Sequence, residues 1–264
     1  MVQKNKLALI TGASSGIGLE LAKVFAQNHY DLIIVSHRER IEEAAEALRG
    51  FGVNVEALNE DLSTKEGTQK VYDHLLQGNK EVDSLVVNAG VGTSGVAWEI
   101  PVDEQLRLID LNVKSLVHLT SLVLKDMVKA NNGKILMTSS IAADMPGPYY
   151  AVYAASKAFI QSYCQAIRYE IKEADLKIHV TSMQPGSTDT EFFETAGMED
   201  TKANQENKDD PAQVAQEGFD ALMANEDNVV TGKMMNKVQS VMSNFMSEQS
   251  GAKAHASSTK PLEN

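Results

Sequence analysis

Thr11-Gly12-Ala13-Ser14-Ser15-Gly16-Ile17-Gly18 follows an apolar run at 6–11 and leads straight into an amphipathic stretch at 17–28. A strand, a glycine turn and a helix in that order make an anion site. Glycine permits the tight turn and lets backbone N–H groups approach a pyrophosphate. The helix N-terminus adds partial positive charge at the same place. The spacing is G-x-x-x-G-x-G rather than G-x-G-x-x-G, and no Gly-Lys-Ser/Thr follows, so the turn is not a P-loop. A glycine-rich turn can also be purely structural, but its placement between strand and helix favours a dinucleotide. The contacts expected there come from Gly12, Ser14, Ser15, Gly16, Ile17 and Gly18.

The second apolar run, 31–36, ends in Val35-Ser36-His37-Arg38 without the acid that usually meets a ribose 2′-hydroxyl. Asp31 stands at the wrong end of the run. Arg38 there suits a 2′-phosphate through its charge and its fork of donors, so NADP(H) is favoured over NAD(H). The plain alternative is a solvated arginine in the first turn of a helix.

Farther along, β-rich runs at 53–58, 84–88, 134–139, 177–183 and 228–231 alternate with helical patterns at 40–49, 64–77, 104–129 and 150–174. Several runs are nearly continuous in Leu, Ile and Val, as strands covered on both faces must be. The alternation predicts right-handed βαβ crossovers and a doubly wound parallel α/β sheet in a single domain. Asp210-Pro211 opens a helix to about residue 225. A further helix carries Met234, Met235, Val238, Val241, Met242, Phe245 and Met246 on one stripe, expected to pack on the sheet edge or on a subunit partner. The domain is expected to span 1–247, and the small, polar segment 248–264 to be a disordered tail.

The 264 residues are 43% hydrophobic, enough for one substantial core, and the net charge of −12 disfavours nucleic acid and anionic membranes as partners. The single cysteine, Cys164, excludes an internal disulfide and a cysteine-based zinc site, and reads as a packing residue. The histidines show no ligand spacing, so no metal is expected. With no apolar run of bilayer length and no signal-peptide pattern at the start, cytoplasmic residence is the expectation.

Tyr153 and Lys157 lie one helical turn apart on one face of the 150–174 helix. A phenol with an ordinary pKa near 10 needs nearby positive charge to exchange protons at neutral pH. Tyr-x-x-x-Lys is expected about half a time by chance in this composition, but no other tyrosine here has lysine four residues on. Ser140 follows the fifth run, where such sheets bind ligands, and its hydroxyl suits a developing oxyanion. The plain alternative for Ser140 is a helix or turn cap, a role open equally to Ser139. Asn112 sits mid-helix, either a satisfied core amide or part of a water-linked proton path.

Together these residues resemble the short-chain dehydrogenase/reductase family, in its TGxxxGxG branch. The likeness covers roughly 5–232 and rests on Thr11 to Gly18, Asp61-Leu62, Val87-Asn88-Ala89-Gly90, Asn112, Ser140, Tyr153 with Lys157, and Pro185-Gly186-Ser187-Thr188-Asp189-Thr190. It implies a seven-stranded Rossmann-like parallel sheet flanked by helices and hydride transfer between a nicotinamide and a carbonyl or alcohol. By that likeness Tyr153 is the general acid/base, Ser140 orients the carbonyl, Lys157 binds the nicotinamide ribose and lowers the tyrosine pKa, and Asn112 completes a proton relay through water. Ser140 is preferred to Ser139 because it lies thirteen residues before Tyr153. Asn88, Ala89 and Gly90 would line the adenosine ribose, Asp61 and Leu62 the adenine, and Pro185, Gly186, Thr188 and Thr190 the nicotinamide and pyrophosphate. Val87 replaces an asparagine common in the family, and Ser15 a basic residue common among NADP users.

The likeness also places a small-molecule carbonyl or alcohol among the loops 91–98, 141–150 and 187–209. Their Trp98, Met145, Pro146, Tyr149, Tyr150, Phe192, Phe193 and Met198 predict an apolar, aromatic pocket. The polar stretch 195–209 is expected to be a mobile lid. The long helices imply a homodimer or homotetramer. Other readings on the same fold are a cofactor-sensing binding protein without turnover and an epimerase or dehydratase.

Overall fold

The structure, a computed structural model, describes residues 5–205, 208–243 and 246–260. Strands and helices alternate as β1 (Leu7–Thr11), α1 (Gly16–Gln27), β2 (Asp31–Ser36), α2 (Ile41–Arg49), β3 (Val55–Asn59), α3 (Lys65–Gln77) and β4 (Ser84–Val87). Then come α4 (Val102–Ile109), a π-helical turn (Asp110–Ser115), α5 (Leu116–Ala130), β5 (Gly133–Thr138), α6 (Ala151–Glu173) and β6 (Ile178–Pro185). The chain continues through two short turns of helix, α7 (Phe192–Thr195) and α8 (Lys202–Gln205), to α9 (Pro211–Ala224), β7 (Asn228–Thr231), α10 (Met234–Ser243) and α11 (Glu248–Thr259).

Seven parallel strands pair in the order β3-β2-β1-β4-β5-β6-β7. Alternate residues serve opposite faces, which explains the unbroken apolar runs. Ala8, Ile10, Leu32 and Ile34 pack with Leu21 and Phe25 of α1, Leu48 of α2 and Phe219 of α9. Leu9, Ile33, Val35 and Leu85 pack with Val71 of α3, Leu119 of α5 and Ile160 of α6. Phe25 fixes α1 to α9 through an edge contact with Phe219, centroids 4.9 Å apart. Cys164 is buried in the second core, as expected of a packing residue. β1 pairs with both β2 and β4, so the winding reverses there and a crevice opens beyond the carboxyl ends of β1 and β4.

Three local features differ from the sequence reading. The helix expected at 104–129 is broken by the π turn at Asp110–Ser115. The wider turn brings Asn112 inward, where its side chain bonds both the N–H and the carbonyl of Val91, at 2.9 Å each. The segment 195–209, expected to be a mobile lid without periodicity, follows α7 and carries α8, and its Ala196 and Met198 pack with Phe193 in a small core. Its neck is closed by Asp209, whose N–H donates to the Ser187 carbonyl at 2.8 Å and whose carbonyl accepts from Asp189 N–H at 2.9 Å. The tail expected to be disordered from 248 contains α11. Ser247 Oγ accepts from Ser250 N–H at 3.3 Å, and Gly251, His255 and Thr259 are buried at helical spacing. Its small residues dock by close approach rather than by apolar bulk, so hydropathy gives no sign of it. Phe245, assigned to the methionine stripe, lies outside the described residues. Among the described residues no helix is long and apolar enough to cross a membrane.

Candidate active site

The turn after β1 is fixed by Thr11. Its hydroxyl accepts from the N–H groups of Asn88 (3.0 Å) and Ala89 (3.1 Å), tying the end of β1 to the segment after β4. Asn88 donates in turn to the Thr11 carbonyl at 3.2 Å and accepts from Thr138 Oγ1 at 3.2 Å, which extends the brace to β5. Gly12 and Gly16 adopt φ of +70° and +55°, and a Cβ on Gly18 would lie 2.1 Å from the Gly12 carbonyl oxygen. Ser15, the N-cap of α1, makes no side-chain cap, and the first turn holds no acid. The first N–H groups are therefore left for an external anion. This cradle fits a dinucleotide pyrophosphate.

A cavity of about 810 Å³ begins at this cradle and runs to Tyr153 and beyond. Gly12, Ser14, Ser15, Gly16, Ile17, Gly18, Arg38, Leu62, Asn88, Ala89, Gly90, Ser140, Tyr153, Lys157, Pro185, Gly186, Thr188 and Thr190 all line it. Two of the sequence-derived positions do not. Asp61 turns its carboxylate onto Ser63, accepting from its N–H at 2.9 Å and its hydroxyl at 2.7 Å, so Glu60 and Leu62 face the cavity instead. Asn112 stands behind the wall. Besides its bonds to Val91, its Nδ2 reaches Ser156 Oγ at 3.1 Å, so the whole amide is occupied and acts as a brace for Val91. Among the described residues no cluster with metal-binding composition exists.

Lys157 is buried, and its Nζ donates to the Thr138 carbonyl at 2.9 Å. Its ammonium lies 5.6 Å from the centre of the Tyr153 ring. Ser140 Oγ accepts from Ala142 N–H at 3.1 Å, capping the turn at Ile141–Asp144, and donates to the Pro185 carbonyl at 3.4 Å, while Ser139 turns away and donates to the Lys157 carbonyl at 2.9 Å. Burial pushes the Tyr153 phenol up to about 12, against a smaller opposite pull from Ser140. Burial also brings the Lys157 ammonium down to about 8. The phenol is thus a proton donor at neutral pH, beside a lysine still charged there. Phe192 covers Tyr153 with ring centres 5.1 Å apart, and Gly92 leaves room for it, since a Cβ there would meet Phe192 Cζ at 2.7 Å.

At the other end, Arg38 is not alone. Its Nη1 donates to Glu191 at 2.6 Å, and Arg40 grips the same carboxylate with both Nη atoms. Hydrogen bonds from Arg40 and then Arg38 hold Glu191 down at about 2. Sequence reading missed both Arg40 and Glu191, whose pairing spans the groove. It also misplaced Trp98, which is 86% exposed and, with Pro146 and Tyr149, outside the cavity wall. Met235, Val238, Met242 and Met246 instead supply an apolar wall from the α10 region, and His255 joins it from α11.

The sequence profile of the family described as short chain dehydrogenase matches residues 6–201. The oxidoreductase UcpA of Salmonella typhimurium is 33% identical over 218 residues, 82% of this chain and 80% of that protein. A short-chain dehydrogenase from Sphingobium yanoikuyae, solved in complex with NADPH, superposes with a TM-score of 0.78 at 29% identity, covering 85% of this chain and 87% of its own. One from Burkholderia phymatum, solved with NAD, shares the fold at 21% identity and a TM-score of 0.83 over 99% of both chains. The extent of these matches, over a parallel sheet whose glycine turn and Ser140, Tyr153 and Lys157 meet in one crevice, places this chain in the short-chain dehydrogenase/reductase family.

Proposed function

We propose that this pyridine-nucleotide-dependent oxidoreductase interconverts an apolar carbonyl compound and its alcohol, with Tyr153 as general acid/base and NADP(H) as the preferred cofactor. The observation that carries the reading is that Ser140, Tyr153 and the Lys157 ammonium, 5.6 Å from the Tyr153 ring centre, line one end of a cavity that starts on the glycine cradle. The bound nicotinamide supplies or accepts the hydride. In reduction, Ser140 and Tyr153 hold the carbonyl oxygen, and Tyr153 Oη delivers the proton as negative charge develops there. In oxidation the phenolate takes that proton back. Lys157 favours the phenolate by charge, and Asn112 acts as a positioning residue through Val91. Phe192, Tyr150, Met145 and the α10 side chains give the cavity an apolar lining that suits an apolar substrate.

The cofactor preference rests on Arg38 and Arg40, two guanidinium groups converging where a 2′-phosphate would approach. Glu191 occupies both, so a phosphate must displace a carboxylate, and its greater charge favours the exchange. Arg38→Ala is expected to weaken NADPH binding by about 10–100-fold, the scale of one charge-assisted hydrogen bond, and NADH binding far less. Glu191→Gln is expected to strengthen NADPH binding by up to about fivefold, the scale of one exposed ion pair. Fluorescence titration of both reduced cofactors reads both effects. Equal NADH and NADPH affinity in the unaltered protein would remove the NADP preference and leave the oxidoreductase reading standing.

A further inference from the structure

Two polar groups in the cavity beyond Tyr153 take no part in the proton transfer. Tyr150 and His255 are 6% and 5% exposed, line the cavity, and have ring centres 5.7 Å apart. Tyr150 stacks in turn on Tyr153 at 5.9 Å. Phe192, Tyr153, Tyr150 and His255 thus form one aromatic row leading away from the reacting oxygen.

The hydrogen bonds fix what each group can offer. The Nδ1 of His255 lies 3.0 Å from the Pro146 carbonyl oxygen, which can only accept, so Nδ1 carries the hydrogen. In the neutral ring Nε2 then presents a lone pair. Burial lowers the pKa of His255, against smaller opposite contributions from Pro146 and Asp144, which keeps the ring neutral at neutral pH. Nε2 has no partner among the described residues and is not sealed from the cavity. Burial raises the phenol of Tyr150 as well, so it stays protonated, and its hydroxyl also lacks a partner among the described residues. The neighbouring Thr259 hydroxyl is already committed to the Pro148 carbonyl at 2.9 Å.

Buried polar groups are nearly always paired, and an unpaired set facing a binding cavity marks a place for a ligand group. Here a donor and an acceptor belong to rings 5.7 Å apart that share the cavity lining with Met145, Val238, Met242 and Met246. A hydroxyl satisfies both at once, accepting from Tyr150 Oη and donating to His255 Nε2. A carbonyl or ether oxygen satisfies only Tyr150 and sets its lone pairs against that of His255. A methyl group satisfies neither.

We propose that Tyr150 and His255 form a hydroxyl-recognition subsite, so that the substrate is an apolar carbonyl compound carrying a hydroxyl remote from the reacting carbon. This rests on the reading of Tyr153 as the reacting end, and it assigns α11, which lies beyond the stretch matched by the family profile, a share in substrate selection.

The test uses the full chain with NADPH and straight-chain aldehydes from hexanal to dodecanal, each beside its ω-hydroxy and ω-methoxy counterpart. At one or two chain lengths the hydroxy compound should exceed both others in kcat/KM by about tenfold or more, since a site built to bond a hydroxyl rejects analogues that lack it. The gain should lie mainly in KM. Tyr150→Phe and His255→Phe keep the ring row and should bring that ratio close to one, whereas His255→Gln, which restores an acceptor, should recover part of it. Where an aldehyde is not turned over, calorimetric affinities of the α,ω-diols against the monoalcohols, with and without NADP+, read the same discrimination. No hydroxyl preference at any length in either measurement overturns the subsite. So does a preference that survives both phenylalanine variants. NADPH titration of the same preparations separates the two readings: a protein that binds NADPH and reduces plain aldehydes without hydroxyl preference retains the proposed function and loses only the subsite.

Discussion

Tyr153→Phe is expected to lower turnover in both directions by about 10²–10⁴-fold, the range for loss of a positioned general acid/base, while NADPH still binds. The substitution deletes one oxygen and keeps the ring contacts with Phe192 at 5.1 Å and Tyr150 at 5.9 Å, so neither fold nor cavity should change. The loss should fall in kcat and kcat/KM together, as it does when an interaction made in the transition state is removed. The pH dependence follows from the same groups. With the phenol pushed up to about 12, the proton donor for reduction is present throughout the neutral range. Lys157, brought down to about 8, loses its charge as pH rises through that value, and reduction should decline with it. Alcohol oxidation needs the phenolate and should rise toward alkaline pH, with an onset below 12 once the positive charge of the oxidised nicotinamide is beside the ring. Rate profiles in the two directions check both limbs. A Tyr153→Phe variant retaining more than about a tenth of the turnover would move the acid/base role elsewhere.

The parts of this molecule legible in sequence are those whose physics is local. Buried parallel strands need unbroken apolar runs, and 31–36 and 228–231 coincide with β2 and β7. The glycine turn declares itself because no larger residue fits it, and Tyr153 and Lys157 because one helical turn sets their spacing. What escaped depends on distant partners. Arg40 and Glu191 are 151 residues apart and meet only because β2 and the loop after β6 flank one crevice. Asn112 looks like an ordinary mid-helix amide until the π turn brings it to Val91. Asp61 stands beside a cavity residue, but the nearer donors of Ser63 capture its carboxylate. α11 lacks the apolar stripe that marks a helix in sequence, and docks through Gly251 against Met145, where a Cβ would meet Met145 Cγ at 3.1 Å.

Gly18→Ala is expected to cost about 1–3 kcal/mol of stability through overpacking and to weaken NADPH binding by more than about tenfold. The added Cβ would stand 2.1 Å from the Gly12 carbonyl oxygen and 2.5 Å from Asn88 Nδ2. Neither can retreat cheaply. Gly12 is backbone, packed so closely on Ala89 that a Cβ of its own would meet Ala89 Cα at 2.8 Å. Asn88 is held by the Thr11 carbonyl and by Thr138. The strain must therefore move α1 outward, and with it the N–H groups meant for the pyrophosphate. Gly52→Ala is the control. That glycine has φ of +80° but nothing within 4 Å of its Cβ position, so alanine meets backbone strain without a clash. It should cost about 1–2 kcal/mol, the penalty of a left-handed L-residue, and leave NADPH affinity as it was. Chemical denaturation and NADPH fluorescence on the pair separate general destabilisation from loss of the cradle. Equal stability losses with affinity lost only in Gly18→Ala would tie the cofactor to the helix N-terminus. Wild-type affinity in Gly18→Ala would show that the pyrophosphate is held elsewhere.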